Sequence, residues 1–234
     1  MATKRNPMPD QDAMGRERDY LPALRWKALT PLFDTVVRVT ARDRAAKTRL
    51  LDQANVASGA SVLDLGAGTG TLAIWLKQRC PEARVTALDA DPQALSIGRR
   101  KAADARCAIE FVEAYSTELP FPPDSVDVVL SSLFFHHLAR ADKRKTLAEV
   151  RRVLKPGGAL HVADWGKASD PVMAALFLSV RAFDGFEVTA DNARGALPAL
   201  FEAAGLRDAK ERRRMRTALG TLALYSARKP ARSG

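Results

Sequence analysis

Residues 62–70, Val-Leu-Asp-Leu-Gly-Ala-Gly-Thr-Gly, decide the fold of this 234-residue chain. The first four are typical of a short buried strand, and a glycine-rich loop follows them with a helical segment directly behind it. Glycine adopts positive φ angles and lets a ligand approach the main chain closely, so this arrangement predicts a cradle for a nucleotide-like cofactor. A purely structural tight turn is the alternative for a glycine loop taken alone.

The spacing of the glycines narrows the class of cofactor. Gly66, Gly68 and Gly70 form G-x-G-x-G, whereas loops that bind a pyrophosphate have the pattern G-x-G-x-x-G. Asp64 precedes the first glycine by two residues, and its carboxylate suits a ligand with an ammonium group better than one that presents phosphates. The pattern therefore disfavours an NAD-dependent dehydrogenase.

Apolar segments of strand length alternate with helical segments after this loop, as in βαβ units on a parallel sheet. We predict five strands and three helices, with the strands at residues 61–65, 84–89, 108–112, 126–131 and 159–164 and the helices at 71–79, 92–104 and 138–154. A helical insertion follows the fifth strand, with helices at 172–183 and 194–204 before two final strands near 209–217 and 219–227. The predicted fold class is α/β with a doubly wound sheet.

Ahead of the first strand the chain divides into two further predicted parts. Residues 1–19 are polar and are interpreted as a flexible tail without a secretion signal. Residues 20–57 are predicted to form helices that cover the active site, one of them capped by Thr30 and a second at about 42–56. Residues 58–234 then form the sheet domain.

Composition excludes several classes of protein. Apolar residues make up 47% of the chain, which excludes disorder of the whole chain. No run of about eighteen apolar residues is present that would span a bilayer. Cys80 and Cys107 indicate neither a disulfide framework nor a metal site, so we assign no metal ligands. These features together predict a cytoplasmic protein.

Asp89 ends the second predicted strand, about 20 residues beyond the glycine loop, where an acidic side chain can accept hydrogen bonds from ribose hydroxyls. A helix cap is the alternative role for this residue. Asp91 directly precedes Pro92 at the start of the next helix and is better placed for that cap. We therefore assign Asp89 to a ribose and Asp91 to the cap.

The chain resembles the Rossmann-type methyltransferases of small-molecule and of ubiquinone or menaquinone biosynthesis. Five segments carry the resemblance in order: VLDLGAGTG at 62–70, ALDAD at 87–91, LPFPPDSVDVVLSS at 119–132, LFFHHL at 133–138 and EVRRVLKPGGALHVADWG at 149–166. The resemblance is firm over residues 42–166 and looser over the C-terminal strands. It implies a seven-stranded, mostly parallel sheet whose last strand is antiparallel, and S-adenosylmethionine (SAM) as the cofactor.

The resemblance also implies which residues bind SAM. Asp64 and the glycine loop would hold the methionine moiety, Asp89 the ribose, and the loop after the third strand the adenine. The cofactor-binding set is Asp64, Gly66, Ala67, Gly68, Gly70, Asp89, Ala90, Tyr115, Ser116 and Ser131. Many relatives have an acidic residue at the position of Tyr115. We therefore expect Tyr115 to stack on the adenine, and Ser116 or backbone groups to contact the adenine edge.

Methyl transfer from a sulfonium requires alignment of the acceptor and exclusion of water, and it requires a base only where the acceptor carries a proton. His136 is the candidate catalytic residue because it follows the fourth strand, at the edge where open α/β sheets bind ligands. His137, Asp164 and Trp165 lie at the same predicted edge and are assigned to the substrate pocket. A backbone contact for His137 and a turn role for the other two are the alternatives.

The chain lacks the motifs of enzymes that methylate nucleic-acid bases. Residues 131–134 are Ser-Ser-Leu-Phe, where the amino-methylating enzymes have an Asn/Asp-Pro-Pro-Tyr motif, and no Pro-Cys pair is present. Tyr20 and Trp26 give the N-terminal helices an aromatic character and are assigned to the substrate pocket, with core packing as the alternative. We predict a small or lipid-like acceptor and no nucleic-acid partner.

The net charge of +10 is concentrated near the C-terminus, where residues 206–234 contain nine Lys or Arg and two Asp or Glu. Four basic residues occupy alternate positions of a predicted edge strand, namely Lys210, Arg212, Arg214 and Arg216. We therefore expect them to share one face and to oppose edge-to-edge pairing with another sheet. Contact with anionic lipid is the alternative, and it makes a phospholipid N-methyltransferase at the membrane surface a rival function. A protein that binds SAM without transferring the methyl group is a further rival. No feature of the sequence indicates an oligomeric state.

Overall fold

The computed structural model describes residues 43–232. Its elements in chain order are α1 (Asp43–Ala54), β1 (Ser61–Leu65), α2 (Thr71–Arg79), β2 (Arg84–Asp89), α3 (Pro92–Asp104), β3 (Glu110–Glu113), β4 (Val126–Ser132), a 3-10 turn (Phe135–His137), α4 (Arg140–Val153), β5 (Leu154–Trp165), α5 (Pro171–Asp184), α6 (Ala190–Arg194), α7 (Leu197–Ala203), β6 (Arg207–Thr217) and β7 (Gly220–Arg228). Among these residues, no helix has the length and apolar character needed to cross a membrane.

The strands form one seven-stranded sheet in the order β3-β2-β1-β4-β5-β7-β6. The pairs among β1 to β5 are parallel, and β7 runs antiparallel to both of its neighbours. This arrangement confirms the predicted α/β class, the seven strands and the antiparallel last strand. The chain moves outward from β1 to β3 and then returns to place β4 on the other side of β1. The carboxyl ends of β1 and β4 therefore border the crevice in which open α/β sheets bind ligands.

Two apolar layers cover the sheet. On one face, Leu63 and Val129 pack in a cluster with side chains of α4 and α7 such as Phe201. On the other face, Val62 and Leu130 pack in a cluster with side chains of α1, α2 and α5. The strands are buried on both faces, which explains why β4, β5 and β7 are rich in apolar residues without strict alternation.

The first described helix belongs to this core. Leu50 and Leu51 of α1 are buried against the sheet, and Nε2 of Gln53 donates to the carbonyl of Tyr225 at 2.9 Å. Burial of each leucine contributes about 1.5–3 kcal/mol to the docking of the helix. α1 therefore packs on the sheet across the predicted boundary after residue 57. The helix predicted behind Thr30 lies outside the described residues.

The helix predicted at 138–154 is shorter at both ends. It begins at Arg140 because residues 135–137 form a separate 3-10 turn. It ends before Leu154, since that residue already pairs with β4 as the first residue of β5. The predicted Pro-Gly-Gly turn therefore lies within the span of β5 rather than at the end of the helix.

The helix predicted at 194–204 is observed as α7, which begins three residues later at Leu197, and the short helix α6 (Ala190–Arg194) precedes it. Gly195 adopts a φ of +73° and ends α6 in the left-handed conformation. Pro198 then lies in the first turn of α7, where its missing amide is not needed.

β6 occupies its predicted place at the edge of the sheet, but its basic side chains are not aligned as predicted. Glu211 pairs with Tyr225 and Arg213 pairs with Leu224, so Arg212 is the extra residue of a β-bulge. The bulge shifts the alternation of the side chains that follow it. The prediction that Lys210, Arg212, Arg214 and Arg216 share one face is therefore wrong.

Candidate active site

The glycine loop after β1 is bonded to the end of β2. The amides of Gly66 and Ala67 both donate to the carbonyl of Leu88 at 2.9 Å, and the amide of Gly68 donates to Oδ2 of Asp89 at 2.7 Å. All three glycines of the loop adopt positive φ angles, between +53° and +70°, which disfavour other residues. The loop and the β2 carboxylate therefore form one unit, as the sequence predicts for a cofactor cradle.

The three glycines have different surroundings. A Cβ atom on Gly66 would stand 2.2 Å from the ring of Phe134, and one on Gly70 would stand 2.9 Å from the ring of Phe111. These two positions require glycine for internal packing. A Cβ atom on Gly68 would meet no atom within 4 Å. Gly68 is thus the position at which a ligand can lie directly against the main chain.

Asp64 lies beneath the loop and is 1% exposed. Its Oδ2 accepts a hydrogen bond from the amide of Ala73, in the first turn of α2, at 3.1 Å. Burial raises the pKa of Asp64 to about 7, against the opposing effect of the positive charge of Lys47. A positively charged ligand above the loop would favour the ionised form of this carboxyl group.

Asp89 is held by two amides on neighbouring segments. Besides the bond from Gly68, its Oδ1 accepts from the amide of Asp91 at 2.9 Å, and burial raises the pKa of Asp89. Each carboxylate oxygen keeps a second lone pair that can accept from a ligand hydroxyl. Ala90 lies between the two acidic residues and is half-buried. Asp91 accepts from two amides in the first turn of α3, which confirms its predicted role as the helix cap.

The residues predicted at the adenine face different directions. Tyr115 follows β3 and is 49% exposed. The hydroxyl of Ser116 is buried and lies 2.8 Å from that of Thr146 on α4, which leaves contact with an adenine edge to the backbone. Ser131 is fully buried and donates to the carbonyl of Leu65 at 2.9 Å. Ser131 thus joins the ends of β4 and β1 beneath the site.

The loop and its carboxylates fit SAM. Gly68 leaves space above the main chain, and Asp64 and Asp89 are acidic groups whose pKa values are raised by burial. SAM carries a sulfonium and an ammonium group together with a ribose, which match the carboxylates in charge and in hydrogen bonding. The donor set is therefore compatible with the cofactor that the sequence implies.

A fully buried carboxylate at the end of β5 organises the other half of the site. Oδ2 of Asp164 accepts hydrogen bonds from the amides of residues 134 and 135 at 3.1 and 2.8 Å. Oδ1 accepts from the amide of Trp165 at 2.7 Å and from Nδ2 of Asn192 at 3.2 Å. Oδ1 also lies 2.7 Å from Nδ1 of His136. Because a carboxylate only accepts hydrogen bonds, Nδ1 of His136 carries a proton.

His136 is part of a cluster with His137 and Asp184. The two imidazole rings are stacked, with their centroids 3.9 Å apart. Oδ2 of Asp184 lies 3.5 Å from Nε2 of His136, and Oδ1 lies 3.9 Å from Nδ1 of His137. Burial holds the pKa of His137 well below its ordinary value and raises the pKa of Asp184. Asp184 was not among the predicted site residues, because it ends an apolar helix and belongs to none of the motifs.

The structure brings together most of the residues predicted at the acceptor side, but not all of them are accessible. His136 and His137 follow β4 at the predicted edge, and His136 is 3% exposed. Asp164 and Trp165 end β5 at the same edge and are buried, with the Trp165 ring 5.4 Å from that of Phe177 on α5. The other two predicted pocket residues, Tyr20 and Trp26, lie outside the described residues.

Comparison with known proteins gives matches over the same region. Residues 62–158 match a family model described as a methyltransferase domain. The chain is 37% identical over 139 residues to a demethylmenaquinone methyltransferase of Thermus thermophilus, covering 58% of this chain and 62% of the relative. It is 32% identical over 178 residues to a demethylmenaquinone methyltransferase of Deinococcus radiodurans, covering 75% of this chain and 71% of that relative. The chain therefore spans less than two thirds of the length of the Thermus protein.

A solved structure shares the fold over most of the described chain. The crystal structure of a SAM-dependent methyltransferase from Aquifex aeolicus aligns with a TM-score of 0.64 at 19% sequence identity. The alignment covers 86% of this chain and 97% of the Aquifex chain. At this level of identity the similarity is one of fold.

Proposed function

Since the chain belongs to the SAM-dependent methyltransferases of the ubiquinone and menaquinone type, we propose that it transfers a methyl group from SAM to a small, quinone-like acceptor. The observation that carries the proposal is the cradle in which Gly68 is open to a ligand and Asp64 and Asp89 lie below and beside it. The Thermus and Deinococcus relatives are named for their action on demethylmenaquinone, which supports an acceptor of the quinone class.

The cofactor supplies a methyl group that its sulfonium has already activated. In the proposed arrangement the methionine moiety lies against the main chain at Gly68, and the ribose hydroxyls donate to the remaining lone pairs of Asp89. Asp64 in its ionised form stabilises the positive charge from below the loop. Tyr115 covers one face of the adenine, whose edge is contacted by backbone groups.

On the acceptor side, the chain has to hold the nucleophile in line with the methyl group and to exclude water. Such positioning contributes up to about 7–11 kcal/mol to the lowering of a barrier. His136 is the proposed catalytic residue, acting at Nε2 because Asp164 holds its Nδ1. His137 is proposed to border the acceptor. The buried Asp164 and Trp165 act behind this surface, while Tyr20 and Trp26 would contribute from the residues before 43.

The cofactor site can be tested by calorimetric titration of the full chain with SAM, S-adenosylhomocysteine and NAD. We expect both adenosyl ligands to bind and NAD not to bind. Asp89→Ala removes charge-assisted hydrogen bonds to the ribose, so its affinity for SAM should fall roughly 10- to 150-fold. Asp91→Ala is the matched control. It removes the α3 cap at a cost of about 1 kcal/mol in stability and should leave the affinity for SAM unchanged.

A preference for NAD, or an equal loss of SAM binding in both variants, would contradict the proposed cofactor site. Methyl transfer itself is measured with SAM labelled by deuterium in the methyl group and demethylmenaquinone in detergent. Mass spectrometry should then detect the quinone with one labelled methyl group. Binding of SAM without any methylated quinone would favour a different acceptor or a protein that binds SAM without transferring the methyl group.

A peripheral contact with anionic membrane is a further part of the proposal, since a quinone-like acceptor is lipid-soluble. Lys210 and Arg213 are exposed on β6, whereas Arg214 pairs with Glu211 and Arg216 pairs with Asp170. Each basic residue close to an anionic surface contributes about 1 kcal/mol to binding. The protein should therefore co-sediment with phosphatidylglycerol vesicles at low salt. The double variant Lys210→Glu, Arg213→Glu should stay in the supernatant. Equal binding to phosphatidylcholine vesicles would contradict this contact.

A further inference from the structure

Three potential metal ligands meet beside the acceptor side of the site. One ring nitrogen of His136, one ring nitrogen of His137 and a carboxylate oxygen of Asp184 all lie within 4.8 Å of one another. The two histidines are consecutive residues of the 3-10 turn after β4, and Asp184 is the last residue of α5. Elements that are distant in the chain thus bring two imidazoles and one carboxylate to the same point.

The hydrogen bonding around this cluster leaves one ring nitrogen of each histidine directed at the carboxylate of Asp184. Asp164 accepts from Nδ1 of His136, so Nε2 is the ring nitrogen that remains for a ligand, and it faces Oδ2 of Asp184 at 3.5 Å. Nδ1 of His137 faces the other oxygen of Asp184 at 3.9 Å. Two imidazole nitrogens and a carboxylate in this arrangement are the donor types that bind a divalent transition-metal ion.

The contact between His136 and Asp164 has the form of a second-shell contact in a metal site. A histidine that binds a metal through one ring nitrogen usually donates the other N–H to a carboxylate, which sets the tautomer and the orientation of the ring. Asp164 is itself fixed by three backbone amides and by Asn192. The ring of His136 is therefore oriented by groups that are independent of Asp184 and His137.

We propose that His136, His137 and Asp184 bind a divalent transition-metal ion such as Zn²⁺. Bonds from nitrogen and oxygen to Zn²⁺ are about 2.0–2.2 Å long, which places the ligand atoms of a tetrahedral site about 3.4 Å apart. Oδ2 of Asp184 lies 3.5 Å from Nε2 of His136, which is close to this spacing. Nδ1 of His137 lies 3.9 Å from the other oxygen, Oδ1, so the carboxylate has to rotate to bring one oxygen and both nitrogens to the same ion. Gly185 follows Asp184 and ends α5, which allows the carboxylate to adjust.

Two imidazoles and one carboxylate leave at least one coordination position of the ion open. An oxygen atom of the acceptor, a hydroxyl or a carbonyl, has the chemistry to occupy it. The ion would then orient the acceptor, and Nε2 of His136 would act as a ligand in place of a base. This assignment of the open position rests on the proposed methyl transfer, whereas binding of the ion does not.

The test uses the full chain with any affinity tag removed, and it needs neither SAM nor acceptor. Competition with a chromophoric chelator should give one tightly bound Zn²⁺ per chain. Asp184→Asn and His137→Gln should each weaken the affinity at least 10-fold. His161→Gln is the matched control, because His161 is the third histidine of the chain and its Nδ1 lies 3.0 Å from Gln53 on α1, away from the cluster.

Co²⁺ distinguishes this cluster from the two cysteines. Wild-type protein with Co²⁺ should show the visible bands of nitrogen and oxygen ligation without a thiolate charge-transfer band, and nuclear magnetic resonance should show perturbation of two of the three imidazoles. The proposal is overturned if Zn²⁺ does not bind, if a thiolate band accompanies Co²⁺, or if both folded variants bind the ion as tightly as His161→Gln. These outcomes concern the ion alone, so they are independent of whether SAM binds.

Discussion

Replacement of Gly68 by alanine separates the folding role of the glycine loop from its binding role. Gly68 has a φ of +53°, and a Cβ atom would meet nothing within 4 Å. Gly59, in the turn before β1, also has a positive φ (+73°) and the same open surroundings. An alanine in the left-handed region costs about 1–2 kcal/mol, so both substitutions should lower the melting temperature by similar amounts.

Only the Gly68→Ala variant should lose affinity for SAM. A methyl group in the space that the ligand occupies costs about 1–3 kcal/mol, which corresponds to a Kd increased roughly 5- to 150-fold. Thermal unfolding measures the first effect and calorimetric titration with SAM the second, with Gly59→Ala as the control. If Gly68→Ala binds SAM as tightly as Gly59→Ala, the cofactor does not lie against Gly68 and the reasoning about the cradle is refuted.

Three further predictions concern buried or clamping side chains. The pKa of Asp64 in the folded state is about 7, which exceeds its ordinary value, so the folded protein retains the proton of this carboxyl group at pH values where the unfolded chain has lost it. The free energy of unfolding therefore decreases as the pH rises from about 4 to about 7. Relative to Asp64→Asn, the wild type should lose up to about 4 kcal/mol of unfolding free energy over this range in urea titrations, and a pH-independent difference would contradict the assignment. Asp164→Asn places an amide where five donors converge, so it should lower the free energy of unfolding in denaturant by about 2–3 kcal/mol. The control Asp142→Asn, at the exposed start of α4, should lower it by almost nothing. Arg152 donates to the carbonyls of Leu119 and Phe121 and to the carboxylate of Glu149, so Arg152→Lys should lower the free energy of unfolding by about 1 kcal/mol. An unchanged melting temperature would show that these hydrogen bonds do not contribute to stability.

The parts of the fold that were predictable depend on local pattern. The strand, glycine loop and helix at 61–79 follow from a buried strand, three glycines and an apolar helical segment in direct succession. Asp89 was predicted to accept from a ribose because it ends the second strand about 20 residues beyond the glycine loop, and its carboxylate lies against the amide of Gly68. The assignment of Asp91 to the α3 cap needed only the proline that follows it.

The features that were not predictable depend on contacts between distant elements. The bulge at Arg212 arises from the pairing of β6 with β7, and an alternating sequence gives no sign of it. Asp164 was expected to line a pocket, but amides from residues 134–135 and the side chain of Asn192 draw its carboxylate into the interior. Asp184 reaches the histidines only because α5 packs back onto the end of the sheet.

The hydrogen bonds that fasten the glycine loop to β2 have a consequence for the rate of cofactor exchange. The amides of Gly66, Ala67 and Gly68 are satisfied by Leu88 and Asp89, so the cradle takes its shape when the sheet folds. The entropic cost of ordering the loop is then met at folding rather than at each binding event. Association should therefore be a single phase, linear in ligand concentration, and SAM and its demethylated product should differ in how fast they leave rather than in how fast they arrive.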